Sequence, residues 1–207
     1  SRITSDFKKL ICFFLISRIK TDHIDDVSNV YAQSWKSAYH GIIPQPYLDS
    51  IPANRWSQFL INELSALWIV SDGEQIIGAQ PKAKKFSGWG ELISIYLLPS
   101  YFYLGIGTKL LKASMDSLFS MGYGRIYLWV LEDNVPARRF YEKNGFHFNG
   151  DIQPAAIGGE MLNEIGMYTG KIAQTSYKHL HSSASAVVPR YARTQLTVSK
   201  SFFPMPQ

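Results

Sequence analysis

The stretch Leu128 to Phe146, LWVLEDNVPARRFYEKNGF, reads as the end of a buried strand that passes at once into a short helix. Arg125 to Leu131 is nearly all apolar, the pattern of a strand covered on both faces. Asn134 is a natural N-cap, and Pro136 falls in the first turn, where a missing N–H costs nothing. Gly145 suits the position just past the helix end, and Phe146 to Phe148 begins a further strand.

A second strand-to-helix junction lies upstream, PSYFYLGIGTKLL (Pro99 to Leu111). The helix that follows carries Ile106, Leu110, Leu111, Met115, Leu118 and Phe119 on one side, with Lys109, Lys112 and Asp116 outside. Gly122 and Gly124 stop it. Gly105 and Gly107 permit unusual dihedrals and close approach of a ligand to the backbone. The free N–H groups and positive dipole end of such a helix favour an anion, with diphosphate the obvious candidate. The competing reading is a tight helix start that uses glycine only for packing. The turn matches neither G-x-G-x-x-G, because residue 110 is Leu, nor the P-loop pattern.

Around these junctions the chain alternates helices and strands. Ile16 to Lys20 alternates like a short strand. Thr21 to Gly41 predicts a helix with Asp22 as N-cap and Ile24, Val27, Val30, Tyr31, Trp35 and Ala38 on its buried face. Pro44, Pro46 and Pro52 mark a loop, and Ala53 to Leu64 a second helix. Leu67 to Val70 and Gln75 to Ala79 flank a tight Asp72-Gly73 turn. A polar loop, Gln80 to Gly90, precedes one long strand, Glu91 to Leu98, and Met161 to Ile172 supplies the last strand. The order points to an α/β (α+β) domain around a mixed sheet, with its glycine turn at a strand's carboxyl end, where ligands collect.

Composition fits one folded domain: 207 residues, 46% hydrophobic and 18% charged. The net charge of +5 is concentrated in residues 172–207, which hold Lys178, Arg190, Arg193 and Lys200 and no acidic residue. Four scattered cations read as a flexible basic tail rather than a nucleic-acid surface. Residues 1–15 read as an N-terminal extension and 16–171 as the domain. The run Leu10 to Ile16 is too short to span a bilayer and lacks a small-x-small cleavage site. Cys12, the sole cysteine, forbids an intrachain disulfide and is compatible with a reducing, cytoplasmic setting. No histidine shows ligand spacing, and no metal, nucleic-acid or membrane partner is expected.

The segment SIYLLPSYFYLGIGTKLL, followed by LWVLEDNVPARRFYEKNGF, resembles the GCN5-related N-acetyltransferase family. EIGMYTGKI resembles that family's closing strand, and SWKSAYHGIIPQPYL its first-helix region, so that the likeness runs from about Ile16 to Lys171. It implies a mixed, splayed sheet flanked by helices, with acetyl-CoA as co-substrate and the primary amine of a small molecule or peptide as acceptor. It also implies that Tyr103, Leu104, Gly105, Ile106, Gly107 and Thr108 hold the cofactor's diphosphate through their backbone amides. Phe102 stands where the family has Gln or Arg, and Leu104 where a basic residue is frequent. Each lost charge-assisted contact costs about 1–3 kcal/mol when shielded from water.

By the same resemblance, Leu97 and Leu98 line the cofactor, with a bulge that frees the Leu97 amide for the thioester oxygen. Asn134 contacts the pantetheine or caps its helix. Tyr141 is the acid for the departing thiolate, with a core aromatic as the competing reading. Glu91, or more weakly His40, is the base that an amine of pKa about 10.4 requires. Trp35 and Tyr39 either wall an acceptor pocket or belong to the core. A non-catalytic CoA-binding or interaction module is the alternative function, and exposed sheet edges make a homodimer an option.

Overall fold

The computed structural model of the chain describes residues 14–62, 67–73, 75–81, 85–86 and 89–170. In chain order these form β1 (Leu15–Arg18), a 3-10 turn (Thr21–His23), α1 (Ile24–Ala38), α2 (Gln45–Ser50), α3 (Ser57–Asn62), β2 (Leu67–Asp72), β3 (Gln75–Pro81) and β4 (Lys85–Phe86). They continue with β5 (Trp89–Glu91), β6 (Tyr96–Leu97), a second 3-10 turn (Pro99–Tyr101), α4 (Ile106–Ser120), β7 (Arg125–Leu131), α5 (Val135–Lys143), β8 (His147–Ile157) and β9 (Glu160–Gly170). One sheet has the order β1-β2-β3-β6 and is antiparallel throughout. The other has the order β4-β5-β7-β9-β8, with β5 and β7 parallel.

The chain divides into two compact units. The first holds β1, α1, α3, β2, β3, β6 and α4 as far as Met115. The second holds most of α2, β4, β5, α4 from Asp116, β7, α5, β8 and β9.

In the first unit the helical spacing of α1 buries Ile24, Val27, Val30, Tyr31 and Trp35 as expected. Two serines share that buried face, Ser28 and Ser34. A buried hydroxyl needs a partner, and Ser28 accepts from the Trp56 amide at 3.0 Å, pinning the entry to α3. Gly78 of β3 faces Leu97 of β6, and any Cβ there would collide with the Leu97 side chain and the Tyr96 carbonyl. In the second unit β7 is buried along most of its length, as its apolar run requires. A Cβ on Gly90 would press on Leu118 of α4, so the strand and helix sit as close as glycine permits.

Five sequence expectations are corrected. The second helix starts at Ser57, not Ala53, after turns in which the Arg55 and Ser57 amides reach the Pro52 and Asn54 carbonyls. The Gln80 to Gly90 segment holds the end of β3, all of β4 and the start of β5. Asp22 is not the N-cap: a 3-10 turn precedes α1, Lys20 occupies the cap, and its N–H donates to His23 Nδ1 at 3.3 Å. Asp22, Asp25 and Asp26 still lie near the positive helix end. The proline loop contains α2, because the Pro44 carbonyl receives the Tyr47 and Leu48 amides and Pro46 lies where no N–H is needed. The strand expected from Glu91 to Leu98 is two strands. Leu92 N–H gives the last bond to β7 (2.9 Å to the Tyr127 carbonyl), residues 92–95 leave the ladder, and Tyr96–Leu97 pair with β3 instead. The beginning of the Leu10 run, the end of the Ala53–Leu64 helix, part of the Gln80–Gly90 loop and residues 171–207 lie outside the described residues.

Replacing Ser28 with Ala strands the Trp56 amide in the interior. The variant is expected to lose about 1–3 kcal/mol in urea unfolding. A loss below about 0.5 kcal/mol, the ordinary surface range, would show that this bond does not hold α3 to α1.

Candidate active site

The first unit carries the glycine turn. After β6 the chain makes one 3-10 turn, with Tyr101 N–H on the Leu98 carbonyl (2.9 Å) and Phe102 N–H on that of Pro99 (3.1 Å). Tyr103 then adopts φ +63° and Gly105 φ +77°, and α4 starts at Ile106. The first amide of the helix with a backbone acceptor is that of Lys109, which reaches Gly105 at 3.2 Å. Among the described residues, no backbone acceptor meets the amides from Tyr103 to Thr108. A Cβ built on Gly105 would meet nothing within 4 Å, so glycine serves the backbone conformation here and the space beside it is open. The arrangement is a row of main-chain donors at a positive helix end, which suits an anion. Phe102 is half-buried and Leu104 is exposed where cations were sought by resemblance.

The strand that leads into this turn is fastened from α1. The Ser34 hydroxyl donates to the Leu97 carbonyl, and Trp35 Nε1 donates to the Tyr96 hydroxyl at 2.9 Å. The Tyr31 and Tyr96 rings lie 4.4 Å apart. Leu97 and Leu98 are both buried. Trp35 is 2% exposed, and its ring packs on that of Trp56 at 5.6 Å. It is a core residue in this structure and presents no open wall. Tyr39, in the second unit, follows α1 directly, and its carbonyl takes the amides of Ile42 and Ile43. His40 is exposed in the same turn.

The second unit holds the remaining candidates. Glu91, at the end of β5, stands in register with Tyr127 of β7. Burial drives the Tyr127 phenol well above its ordinary value, and the charge of Glu91 and a hydrogen bond to that carboxylate push the same way. Glu164 of β9, 9% exposed, is a buried carboxyl. Burial raises its pKa, the Gln153 amide (2.9 Å to Oε2) lowers it, and the charge of Glu91 raises it further. Glu91 with Tyr127 and Glu164 with Gln153 are thus two hydrogen-bonded pairs, and the charge of Glu91 is felt at Glu164. Only Glu91 was singled out from the sequence. Tyr127 sits in a nearly continuous apolar run and Glu164 in the last strand, and no local signal marks either.

Asn134 does cap α5: its Oδ1 accepts from the Ala137 amide at 3.2 Å, and the residue is 6% exposed. One turn on, Tyr141 is buried between Phe140 and Phe146, with ring centroids 5.2 and 5.7 Å away. The helix closes on it. Phe146 N–H reaches the Tyr141 carbonyl and Gly145 N–H that of Glu142, both at 3.0 Å, with Gly145 at φ +86°. That pair of bonds, with its apolar contact, is the Schellman closure, and it fixes the height of Tyr141 on the helix. Among the described residues no group of three His, Cys, Asp or Glu is placed to hold a metal ion, and no helix is long and apolar enough to cross a membrane.

Residues 27–146 match the model of the acetyltransferase (GNAT) family. An uncharacterized N-acetyltransferase of Bacillus subtilis, YuaI, is 29% identical over 158 residues, 73% of this chain and 90% of that protein. The spermidine N(1)-acetyltransferase of Thermoplasma acidophilum is 27% identical over 139 residues, 63% of this chain and 86% of its own. The crystal structure of the PaiA N-acetyltransferase from the same archaeon, in complex with coenzyme A, superposes with a TM-score of 0.62 at 23% identity. It covers 76% of this chain and 98% of that one, and speaks for the fold.

The pH dependence of stability checks the buried carboxyl. With its folded pKa raised, Glu164 binds a proton in the folded chain at pH values where the unfolded chain has lost it. Its contribution is present in acid and lost as pH rises. Glu164→Gln keeps an acceptor for Gln153 and removes the titration. Relative to the natural chain, the variant is expected to gain stability in urea melts as pH rises above the ordinary glutamate pKa of about 4.3, and to level off once the folded carboxyl has ionised. A difference that stays flat with pH would contradict the assignment.

Proposed function

We propose the following activity for this chain, which belongs to the acetyltransferase (GNAT) family by its match over residues 27–146: it transfers an acetyl group from acetyl-CoA to the primary amine of a small, cationic molecule. The observation that carries the reading is the row of unbonded amides from Tyr103 to Thr108, beside an open space at Gly105. A diphosphate fits that row without side-chain cations, since helix amides and the dipole supply the complement. When bound, acetyl-CoA supplies a thioester, an acyl group already activated toward an amine. The coenzyme A in the Thermoplasma structure supports the choice of cofactor, and the spermidine acetyltransferase supports a polyamine-like acceptor.

The roles of the chain's own groups follow from their surroundings. Leu97 and Leu98 line the cofactor, and the Leu97 amide is assigned to polarise the thioester oxygen. Ser34 and Trp35 hold that strand in place by their bonds to Leu97 and Tyr96. Trp35 therefore acts on the acceptor side only through Tyr96, while Tyr39 is assigned to the acceptor pocket. Glu91 takes the amine's proton, directly or through water, and Tyr127 steadies its carboxylate. The carboxylate of Glu91 suits a cationic acceptor better than an anionic one. Asn134 sets the start of α5 and meets the pantetheine. Tyr141, held by Gly145 and Phe146, delivers a proton to the departing thiolate.

Thiol release with spermidine and other amines tests the reading. Glu91→Gln is expected to cut kcat about 100-fold near neutral pH, with the loss shrinking as pH approaches the amine's own pKa of about 10.4. Tyr141→Phe, which keeps the ring packing, is expected to cut kcat about 10- to 100-fold with little change in acetyl-CoA affinity. Full activity in both variants would remove the proposed base and acid. No acetyl transfer to any amine by the natural chain, with acetyl-CoA bound, would make it a binding module.

A further inference from the structure

Tyr103 is the only non-glycine residue with positive φ among the described residues. A left-handed backbone costs an ordinary L-residue roughly 1–2 kcal/mol, and glycine at the same place would cost almost nothing. The ring that incurs this strain is 95% exposed. Its ring neighbour is Phe102, edge-on at 6.4 Å and 88°. Leu104 beside it is 50% exposed. The turn therefore sets a flat, wetted aromatic surface next to a row of anion-binding amides, at positions where cations would ordinarily reinforce anion binding.

A ligand that satisfies both features has a charged phosphate part joined to a planar aromatic part. Coenzyme A is such a molecule, with its diphosphate one ribose away from adenine. We infer that the phenol ring of Tyr103 is a stacking platform for the adenine of the bound acetyl-CoA, making Tyr103 a determinant of cofactor affinity on a turn that lacks cationic side chains. The inference rests on the reading that the amides of 103–108 hold the diphosphate. Base–aromatic stacking is sequence-tolerant and strong enough to offset a lost phosphate contact. The left-handed φ keeps the ring off the protein and available to the base.

The test uses the full chain and calorimetric titration with two probes, acetyl-CoA and inorganic pyrophosphate. Tyr103→Gly removes the ring and relaxes the backbone, so misfolding from strain is not an issue, and Tyr103→Phe keeps the ring. The glycine variant is expected to bind acetyl-CoA roughly ten-fold more weakly, a loss within the range of one stack, with pyrophosphate weakened by no more than about two-fold because the amide at 103 is kept. The phenylalanine variant is expected to stay within about two-fold of the natural chain for both probes. Equal acetyl-CoA affinity in the glycine variant, or equal weakening of both probes, would overturn the stacking role while leaving the diphosphate reading intact. Failure of pyrophosphate to compete with acetyl-CoA on the natural chain would remove the diphosphate reading, and this inference with it.

Discussion

A backbone amide must be bonded to something, and a chain that passes from strand into helix through left-handed residues cannot supply the acceptors itself. That constraint governs the segment between β6 and α4. The 3-10 turn satisfies Tyr101 and Phe102, the helix ladder resumes at Lys109, and the amides between are left for solvent or a ligand. Much of the first unit bears on keeping this stretch open. Ser34 and Trp35 fasten the strand before it. Ile106, Leu110 and Leu111, all buried, fasten the helix after it. With both sides fixed, the donors are held in one arrangement, and an anion bound there would require little reorganisation.

The second unit holds the groups to which proton transfer is assigned in the proposed reaction. Glu91 does not stand alone at a strand end. It faces a phenol that donates to it, and its charge is felt by a second, buried carboxyl, Glu164. Tyr141 is likewise held from two directions, by the Asn134 cap at one end of α5 and the Gly145 closure at the other. These devices act within short segments, and each depends on one or two residues.

What was legible in the sequence was what local chemistry dictates. The Asn134 cap, the Pro136 start and the Gly145 closure occupy fixed offsets on one helix, so their spacing alone locates α5. The Asp72-Gly73 hairpin was legible for the same reason, with Gly73 at φ +61°. The break in the strand from Glu91 to Leu98 was not, because each apolar residue there suits either sheet and only the choice of partner separates β5 from β6. α2 was hidden by prolines that act as loop signals and yet are tolerated in a first helical turn. Ser34, Tyr127 and Glu164 were missed because their partners, Leu97, Glu91 and Gln153, are distant in sequence or on another strand. Trp35 illustrates the reverse case: its helical spacing marked an important residue, but not whether it faced a ligand or the core.

The most direct measurement is a two-dimensional amide-resolved NMR titration of the ¹⁵N-labelled chain with coenzyme A. The largest shifts are expected at the amides of Tyr103 to Thr108, moving together and saturating with the same affinity. Binding of coenzyme A that left those amides unmoved while others shifted would contradict the central claim, that bare main-chain donors at the start of α4 seat the cofactor.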